Sequence, residues 1–417
     1  MREAWPSRHR HPETPVNILL LTSEFAPATG GIGTYAREIA AAASALGADV
    51  TVIAPDYTQD TTVLDRSLPF EIRRFHGGLH SMRGLPSKIL LARSLVGAER
   101  YDVVHAADWP FFIPVALSRR LAPARILMTV HGTEINETQT PLKRLAIRTT
   151  GVFGPRTEIA ANSRYTSGLF RERFAVDENR THAIWLGVSD FWFGSRNGRA
   201  ATRLACGIAS DRIVMVTVAR ITRRKGHSVT LAALCALPKE LRQRFTWLII
   251  GPDGEDDYVQ QLKRLVTATE CDIRFLGTLP DQHIRDIYGA ADFFCLTGVP
   301  DSSGRVEGFG LVYLEAAACG LPSVATAIGG VPEAVLGDET GLLVPPSIDD
   351  IARAITELAE DTDTRSVLAA GASAHARALS WERCAAETYG LPRSGKRTID
   401  AASGNATTVI EPSISPA

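Results

Sequence analysis

Short apolar runs alternate with longer amphipathic segments along most of this chain. Near its start, Val16–Thr22 is a continuous apolar run, a glycine-rich loop follows, and a helix is predicted from about Thr34 to Leu46. Short runs that are apolar throughout are typical of strands buried on both faces of a parallel sheet. Further runs of this kind lie at Asp49–Pro55, Asp102–His105, Arg125–Val130 and Glu158–Ala161. The alternation of strands and helices therefore predicts a doubly wound α/β domain.

A second series of apolar runs begins after an interruption. The stretch from Asp190 to Ser210 contains Gly194, Asn197 and Gly198 and breaks the alternation, so it is the candidate hinge. Beyond it, strands are predicted at Ile213–Ala219, Thr246–Ile250, Asp272–Leu276, Ala291–Leu296 and Pro322–Thr326. Two domains also suit a chain of 417 residues, which is long for a single core. Ligands of such folds bind beyond the carboxyl ends of the strands, so we expect the site in a cleft between the domains.

We expect five segments along the chain. Residues 16–195 form the first Rossmann-like domain and residues 205–375 the second. A helix at 376–390 is expected to cross back to the first domain. The leader 1–15 and the tail 391–417 are polar or rich in small residues, a composition that favours disorder.

The charge of the chain is balanced overall but unevenly placed. With 45% hydrophobic and 22% charged residues and a formal net charge of −1, the composition is that of a soluble globular protein and argues against a nucleic-acid partner. Residues 66–180, however, hold 18 Lys and Arg against 10 Asp and Glu. This excess predicts either a solvated basic face or a surface for an anionic acceptor or membrane.

Two basic, leucine-rich segments lie within that region. Ser81–Arg100 and Leu142–Arg148 combine leucines with Lys or Arg, as surfaces that dock on anionic lipid do. Ordinary helices packed on the sheet remain the alternative. No apolar run approaches the roughly 20 residues that span a bilayer, and no secretory signal is evident, so a cytoplasmic protein is expected.

The sequence offers no metal site. The six cysteines have no metal-ligand spacing and are expected to be reduced thiols. Asp361-Thr-Asp363 has the form of a metal-binding pair but lies in a polar connector, where we predict a solvated turn.

The most informative stretch runs from Glu307 to Thr326. It predicts a loop carrying an acid, then a helix opened by glycines and stopped by Gly320, then a buried strand. The unpaired amides at such a helix N-terminus can hold phosphate. Glu307 lies just outside that terminus, and Glu315 lies a little over one turn into the helix. An anionic ligand flanked by two acids that accept hydroxyl hydrogen bonds suggests a sugar nucleotide.

Basic residues and a histidine end two other predicted strands. Arg220 and Lys225 follow Ile213–Ala219 and could neutralise a diphosphate leaving group, whereas Arg223 and Arg224 are interpreted as a basic surface loop. His131 ends a strand of the first domain beside Gly132, a suitable position for ligand contact.

The first glycine-rich loop admits a different interpretation. Gly31, Gly33 and Ala36 fit G-x-G-x-x-A, and Asp56 lies at the end of the next strand, as in dinucleotide-binding dehydrogenases. Against a dehydrogenase, the insert Ser23–Thr29 separates the glycines from the strand end. The second domain also carries an anion-binding set of its own, which a nicotinamide enzyme would not need.

Taken together, these motifs resemble those of the retaining family 4 glycosyltransferases of the GT-B fold, especially bacterial lipid and polysaccharide mannosyl- and glucosyltransferases. The glutamate pair downstream of Arg220 and Lys225 is highly specific, whereas the glycine loop alone is weak. Leu186-Gly187 departs from the Asn-Gly that the family often has. The matching features are Gly30-Gly31-Ile32-Gly33, Asp102-Val-Val-His105, His131-Gly132, Asn162-Ser163, Arg220 with Lys225-Gly226, Gly251-Pro-Asp-Gly254, Glu307 with Glu315, and Gly329-Gly330-Val331-Pro332-Glu333.

The resemblance implies a role for each matching site residue. Arg220 and Lys225 would grip the donor diphosphate, helped by the backbone of Gly31 and Gly33. His131 would lie near the transferred sugar and its reacting carbon. The hydroxyls of that sugar would contact Glu307 and the amides around it, and Glu315 would accept the ribose hydroxyls. The other implied donor-binding residues are Gly308, Phe309, Gly310 and Leu311 at the helix and Gly251, Asp253 and Leu276 around the base.

The resemblance implies a hexosyltransferase of two doubly wound domains facing across a cleft. It would move mannose or glucose from a GDP- or UDP-hexose to a lipid-linked, glycan or small-molecule hydroxyl, with retention and without a metal or other cofactor. Two alternatives stay open. One is a hydrolysing nucleotide-sugar epimerase, and the other is a catalytically inactive partner that binds sugar nucleotides.

Overall fold

The computed structural model describes residues 15–28, 30–76, 84–132, 135, 140–301 and 303–393. The expected leader and tail lie outside these residues, apart from Pro15 and residues 391–393. So do Ser81–Arg83 at the start of the first basic segment.

The first domain is built on a seven-stranded parallel sheet in the order β3-β2-β1-β4-β5-β6-β7. Strands β1 and β2 and strands β4 to β6 match the predicted runs, whereas β3 and β7 were not predicted. The strands are β1 Asn17–Leu21, β2 Asp49–Pro55, β3 Glu71–Phe75, β4 Val103–Ala106, β5 Arg125–Val130, β6 Thr157–Ala161 and β7 Thr181–Ala183.

The helices of this domain cover both faces of the sheet. The first begins at Gly31, earlier than predicted, and its buried side chains recur every three or four residues, at Tyr35, Ala36, Ile39 and Ala43. This spacing gives one apolar face that packs on the sheet. The helices are α1 Gly31–Ala45, α2 Thr62–Ser67, α3 Leu85–Ala98, α4 Phe112–Ser118, α5 Pro141–Thr150 and α6 Arg164–Phe174.

The second domain has a six-stranded parallel sheet in the order β10-β9-β8-β11-β12-β13. Its strands are β8 Ile213–Val218, β9 Phe245–Ile250, β10 Asp272–Gly277, β11 Phe293–Leu296, β12 Ser323–Thr326 and β13 Gly341–Val344. Its helices are α7 Arg199–Ala205, α8 His227–Ala236, α9 Lys239–Arg242, α10 Asp256–Thr267, α11 Asp281–Ala290, α12 Leu311–Ala318, α13 Val331–Ala334, α14 Ile348–Glu360, α15 Thr362–Ala378 and α16 Trp381–Tyr389. The predicted fold class, two doubly wound α/β domains, is confirmed.

Helix α16 packs on α1 of the first domain. The rings of Tyr35 and Trp381 lie 6.0 Å apart, and the Tyr389 hydroxyl lies 2.8 Å from His105 Nδ1. Gly187 permits this approach, because a Cβ there would lie 2.4 Å from the Trp381 nitrogen. The Leu186-Gly187 departure therefore lies where the chain meets α16.

Asp361 corrects one sequence interpretation. Its side chain accepts hydrogen bonds from the amides of Asp363 and Thr364 and caps α15. The segment is therefore the start of a helix, not a solvated turn, because an Asp at this position satisfies amides that the helix leaves unpaired.

Candidate active site

The site lies where the carboxyl ends of β5 and β11 meet across the cleft. Gly132 has a φ of +105°, and a Cβ there would lie 3.0 Å from the Gly308 Cα. A Cβ on Gly308 would in turn lie 2.1 Å from the His131 carbonyl oxygen. Only glycines permit so close an approach. Residues of both domains therefore contribute to one site.

Glu307 is the centre of a compact charged cluster. Its carboxylate accepts hydrogen bonds from Lys225 Nζ and, at 3.3 Å, from an Arg224 guanidinium nitrogen. Burial raises the pKa of this carboxyl, but the charges of Lys225 and Arg224 outweigh burial and hold the pKa below its usual value. Glu307 is therefore an ionised acceptor.

Arg224 corrects a sequence interpretation. It was expected in a basic surface loop with Arg223, yet its side chain is only 21% exposed and contacts Glu307. The two arginines diverge because residues 223–225 form a single 3₁₀ turn. Arg223 points outward to Asp257 and Glu255, as expected, so only Arg223 belongs to the surface.

Arg220 is exposed at the end of β8. Among the described residues its guanidinium forms no hydrogen bond or ion pair. Gly254 lets the methylene groups of Arg220 lie against the next strand end, since a Cβ there would lie 2.7 Å from Arg220 Cγ. This places the Arg220 cation, which has no partner in the described part of the chain, at the cleft edge of the second domain.

The helix N-terminus beside Glu307 offers backbone donors. Gly310 has a φ of +96° and packs against the ring of Tyr313. Within the described chain, the amides of Gly308, Phe309 and Gly310 have no acceptor. The Phe309 side chain is buried, and Leu311 begins α12. The amides are therefore available to oxygen atoms of a ligand.

Glu315 differs from Glu307 because none of the cations in the described ranges pairs with its carboxyl. Burial raises the pKa of Glu315 to about 8, the charges of Asp281 and Glu38 add to this effect, and Arg37 opposes it. Glu38 and Arg37 belong to α1 of the first domain. Glu315 therefore faces the cleft and is mostly protonated at neutral pH.

We expect Glu315→Gln to gain stability relative to the wild type as pH rises. Above about pH 4.5 the folded wild type keeps a proton at Glu315 that the unfolded chain has lost. The stability of the wild type therefore declines as pH rises from about 4.5 to about 8. Glutamine does not titrate, so the variant does not lose stability in this way. Melting temperatures of the wild type and the variant at about pH 5 and pH 9 test this prediction. If the difference between the two melting temperatures is the same at both pH values, Glu315 is not protonated as described.

His131 is held through its ring and through its backbone carbonyl. Its Nε2 lies 2.8 Å from the Ala107 carbonyl oxygen, and the ring lies 4.9 Å from that of Tyr35. The Asn162 side chain donates to the His131 carbonyl oxygen at 3.0 Å. Glu134, three residues after His131 in the sequence, lies outside the described residues.

The sequence motifs do not identify Glu24, yet it lies at the helix N-terminus where Gly31 and Gly33 were expected to bind the donor diphosphate. The Gly33 amide donates to a Glu24 carboxylate oxygen at 3.1 Å, so a carboxylate caps α1 where a diphosphate was expected. Gly31 is exposed, with open space where a Cβ would project. A phosphate can reach the Gly33 amide only if Glu24 moves.

The remaining predicted donor residues lie at neighbouring strand ends. Gly251 has a φ of +142°, and its amide donates to the Gly277 carbonyl oxygen at 2.8 Å. Asp253 is paired with Lys263 at 3.3 Å. Leu276 lines a cavity of about 680 Å³ together with Leu279 and residues of α7 and α11.

No cluster of three or more His, Cys, Asp or Glu side chains suited to a metal occurs in the part of the chain that the structure describes. Lys225 and Arg224 supply the positive charge beside Glu307.

Two family models match the chain. Residues 29–190 match Glycosyltransferase Family 4, and residues 200–375 match Glycosyl transferases group 1. The boundary between the matches falls in the connection between the two sheets.

The chain is also similar to curated proteins of bacterial lipid and inositol metabolism. It is 28% identical over 373 residues to a GDP-mannose-dependent monoacylated alpha-(1-6)-phosphatidylinositol monomannoside mannosyltransferase of Corynebacterium glutamicum, covering 87% of this chain and 94% of that one. It is 37% identical over 217 residues to a D-inositol 3-phosphate glycosyltransferase of Saccharomonospora viridis, covering 50% and 48%.

Among solved structures, Anabaena HepE in complex with UDP and glucose aligns with a TM-score of 0.71 at 21% identity and covers 89% of this chain and 97% of that one. Sucrose-phosphate synthase of Thermosynechococcus elongatus aligns with a TM-score of 0.73 at 22% identity, covering 90% and 98%. These likenesses confirm the fold.

Proposed function

The chain belongs to the family 4 glycosyltransferases of the GT-B fold, and we propose that it transfers a hexose from a nucleoside diphosphate sugar to an acceptor hydroxyl. The observation that carries this proposal is the arrangement around Glu307. An ionised carboxylate and two cations bound to it lie at one helix N-terminus, beside three amides that have no acceptor among the described residues. Arg220, which has no partner among those residues either, lies at the cleft edge.

The proposed mechanism stabilises the leaving group and positions the reactants. The bond between the sugar C1 and the diphosphate oxygen breaks, and its electron pair stays on the diphosphate. Arg220 and Lys225 offset that charge without a metal. The acceptor oxygen forms the new bond to C1, and its proton passes to an oxygen of the departing diphosphate. We propose retention of configuration because the chain resembles retaining enzymes.

Names of relatives suggest the donor and acceptor classes. We propose GDP-mannose or UDP-glucose as donor and a lipid-linked inositol phosphate as acceptor, in glycolipid biosynthesis. The test is release of nucleoside diphosphate from each donor with and without phosphatidylinositol, with the anomeric configuration of the product measured by NMR. Release without acceptor and with an epimerised sugar would favour the epimerase instead, and binding without turnover the inactive partner.

We further propose that the first domain docks on anionic membrane through α5. Leu142 and Leu145 are 77% and 58% exposed, and Arg144 and Arg148 are exposed on the same short helix. Helix α4 packs against both α5 and α3, where Leu90 is 70% exposed. No helix in the described ranges has the length and apolar character of a membrane span. A basic, leucine-bearing surface of this kind suits peripheral contact.

We expect the double variant Leu142→Ser/Leu145→Ser to bind anionic vesicles at least about tenfold more weakly, since burying one leucine contributes about 1.5–3 kcal/mol. Co-sedimentation with phosphatidylglycerol vesicles at low salt measures this. Leu204→Ser is the control, because Leu204 is 80% exposed on the second domain. Absence of wild-type binding to these vesicles would exclude the membrane surface.

A further inference from the structure

Glu333 joins the two domains at the floor of the cleft. It lies in α13 of the second domain, yet its carboxylate accepts hydrogen bonds from the amides of Arg164 and Tyr165 at 2.8 and 3.0 Å. These amides belong to the first turn of α6 in the first domain. A carboxylate at a helix N-terminus completes the hydrogen bonds of unpaired amides and complements the helix dipole.

A third donor to Glu333 comes from the chain that leads out of the first domain. The Trp185 indole nitrogen donates to Glu333 at 2.5 Å, and the Arg164 guanidinium lies 5.2 Å from the Trp185 ring. Trp185 is itself fixed by α16, because Arg383 donates to the Trp185 carbonyl oxygen at 2.6 Å. The carboxylate is thus bound by three donors of the opposing domain and its exit segment.

The residues beside Glu333 lead directly to Glu307. The Gly330 amide donates to the Glu307 carbonyl oxygen at 2.9 Å. A Cβ on Gly330 would lie 1.9 Å from the Gly308 carbonyl oxygen and 2.9 Å from the Ser163 hydroxyl. Gly330 is therefore packed between the backbone that carries Glu307 and the residue that caps α6 from the first domain.

On the first domain, the residues that contact Gly330 and Glu333 are linked by a hydrogen bond to His131. Ser163 caps α6 through the Thr166 amide at 3.0 Å. Its neighbour Asn162 donates to the His131 carbonyl oxygen. The amides that bind Glu333 therefore begin one residue after Ser163 and two after Asn162. Moving Glu333 away from α6 would separate the segments that carry His131 and Glu307.

We propose that Glu333 is a positioning residue, which fixes His131 of the first domain against Glu307 of the second without touching the substrates. This inference rests on the proposed hexosyl transfer and adds to it a residue outside the donor and acceptor contacts. Closing the domains requires less free energy when a bound carboxylate already holds them in the closed geometry. Correct placement of the reacting groups accounts for a large part of rate enhancement.

The test is Glu333→Gln, which keeps the size of the side chain and removes its charge. We expect kcat to fall at least about tenfold while the donor KM and the dissociation constant of the nucleoside diphosphate stay within about twofold, because the donor contacts of the second domain are intact. Hydrogen–deuterium exchange should be faster in the first turn of α6. A residue with a merely structural role would not produce this split between kcat and KM.

Two further variants separate the possible outcomes. Glu339→Gln changes an exposed glutamate of the same domain and should behave as wild type. Trp185→Phe removes one donor and should give a smaller loss that is not additive with Glu333→Gln. A wild-type kcat in Glu333→Gln, or unchanged exchange in α6, overturns the inference. If the wild type releases no nucleoside diphosphate from any hexose donor, the proposed function fails first and this inference with it.

Discussion

Replacing Glu307 with glutamine lowers kcat by on the order of 10²-fold or more, as loss of other preorganised charged contacts does. Glutamine fills the same space but cannot carry the negative charge that Lys225 and Arg224 hold in place. Its NH₂ group also replaces one of the two accepting oxygens of Glu307 with a donor, so a hydroxyl of the sugar loses an acceptor. Steady-state release of nucleoside diphosphate from the preferred donor measures the effect.

The Glu307→Gln result is informative only if the variant is folded. Glu360→Gln, on the exposed end of α14, is the matched control and should retain wild-type kcat. The affinity for nucleoside diphosphate should change little in Glu307→Gln, because Arg220 and the helix amides remain, and this binding shows that the variant is folded. Turnover close to that of the wild type would contradict the role of Glu307.

Replacing Lys225 with methionine has the other large effect, a fall in kcat/KM of on the order of 10²- to 10³-fold. The variant loses a cation for the leaving diphosphate and leaves Glu307 with Arg224 alone. Removing one partner of a buried pair also destabilises the fold, by about 3 kcal/mol for a pair of this kind. Kinetics and chemical denaturation measure the two effects separately.

The pH dependence of Lys225→Met follows from the pKa of Glu307. In the wild type the two cations hold this pKa below its usual value, so the carboxylate stabilises the fold above the unfolded pKa and loses that effect as pH falls. With one cation absent, burial raises the pKa relative to the wild type. The residual activity of the variant should therefore increase with pH.

Arg223→Met is the matched control for Lys225→Met. Arg223 lies in the same 3₁₀ turn but pairs outward with Asp257 and Glu255 and is 48% exposed. Exposed ion pairs contribute little to stability, so the free energy of unfolding of Arg223→Met should differ from that of the wild type by less than about 1 kcal/mol. A similar activity loss in both variants would show that the turn, and not the charge beside Glu307, governs catalysis.

Sequence patterns predicted the central strands of both sheets and the edge strand β10, but missed the other three edge strands, β3, β7 and β13. The predicted central strands are buried along most of their length, so they are mostly apolar. Strand β3 contains Glu71, Arg73 and Arg74 because it lies at the edge of the sheet, where charged side chains reach solvent. Strands β7 and β13 are edge strands of only three and four residues, too short to give a periodic signal.

Local patterns placed Glu307 and Glu315 at the start of α12 but could not reveal their different environments. Whether Arg224 or Arg223 faces Glu307 depends on the rotation of one 3₁₀ turn. Glu24 and Glu333 act through backbone amides 9 and 168 to 169 residues away. Contacts of this kind produce no regular spacing in the sequence, so they cannot be predicted from it. Glu333 itself is part of the sequence motif that begins at Gly329.

The most direct test of hexosyl transfer from a nucleoside diphosphate sugar is a thermal-shift panel with UDP, GDP, ADP, TDP and their common hexose conjugates, without added metal. A ligand of the native state at about 100 times its dissociation constant adds roughly 2.7 kcal/mol of stability. We predict a clear shift with one base and its hexose conjugate, lost in Arg220→Ala. No shift with any of these ligands, or an equal shift in Arg220→Ala, would contradict the proposed donor site.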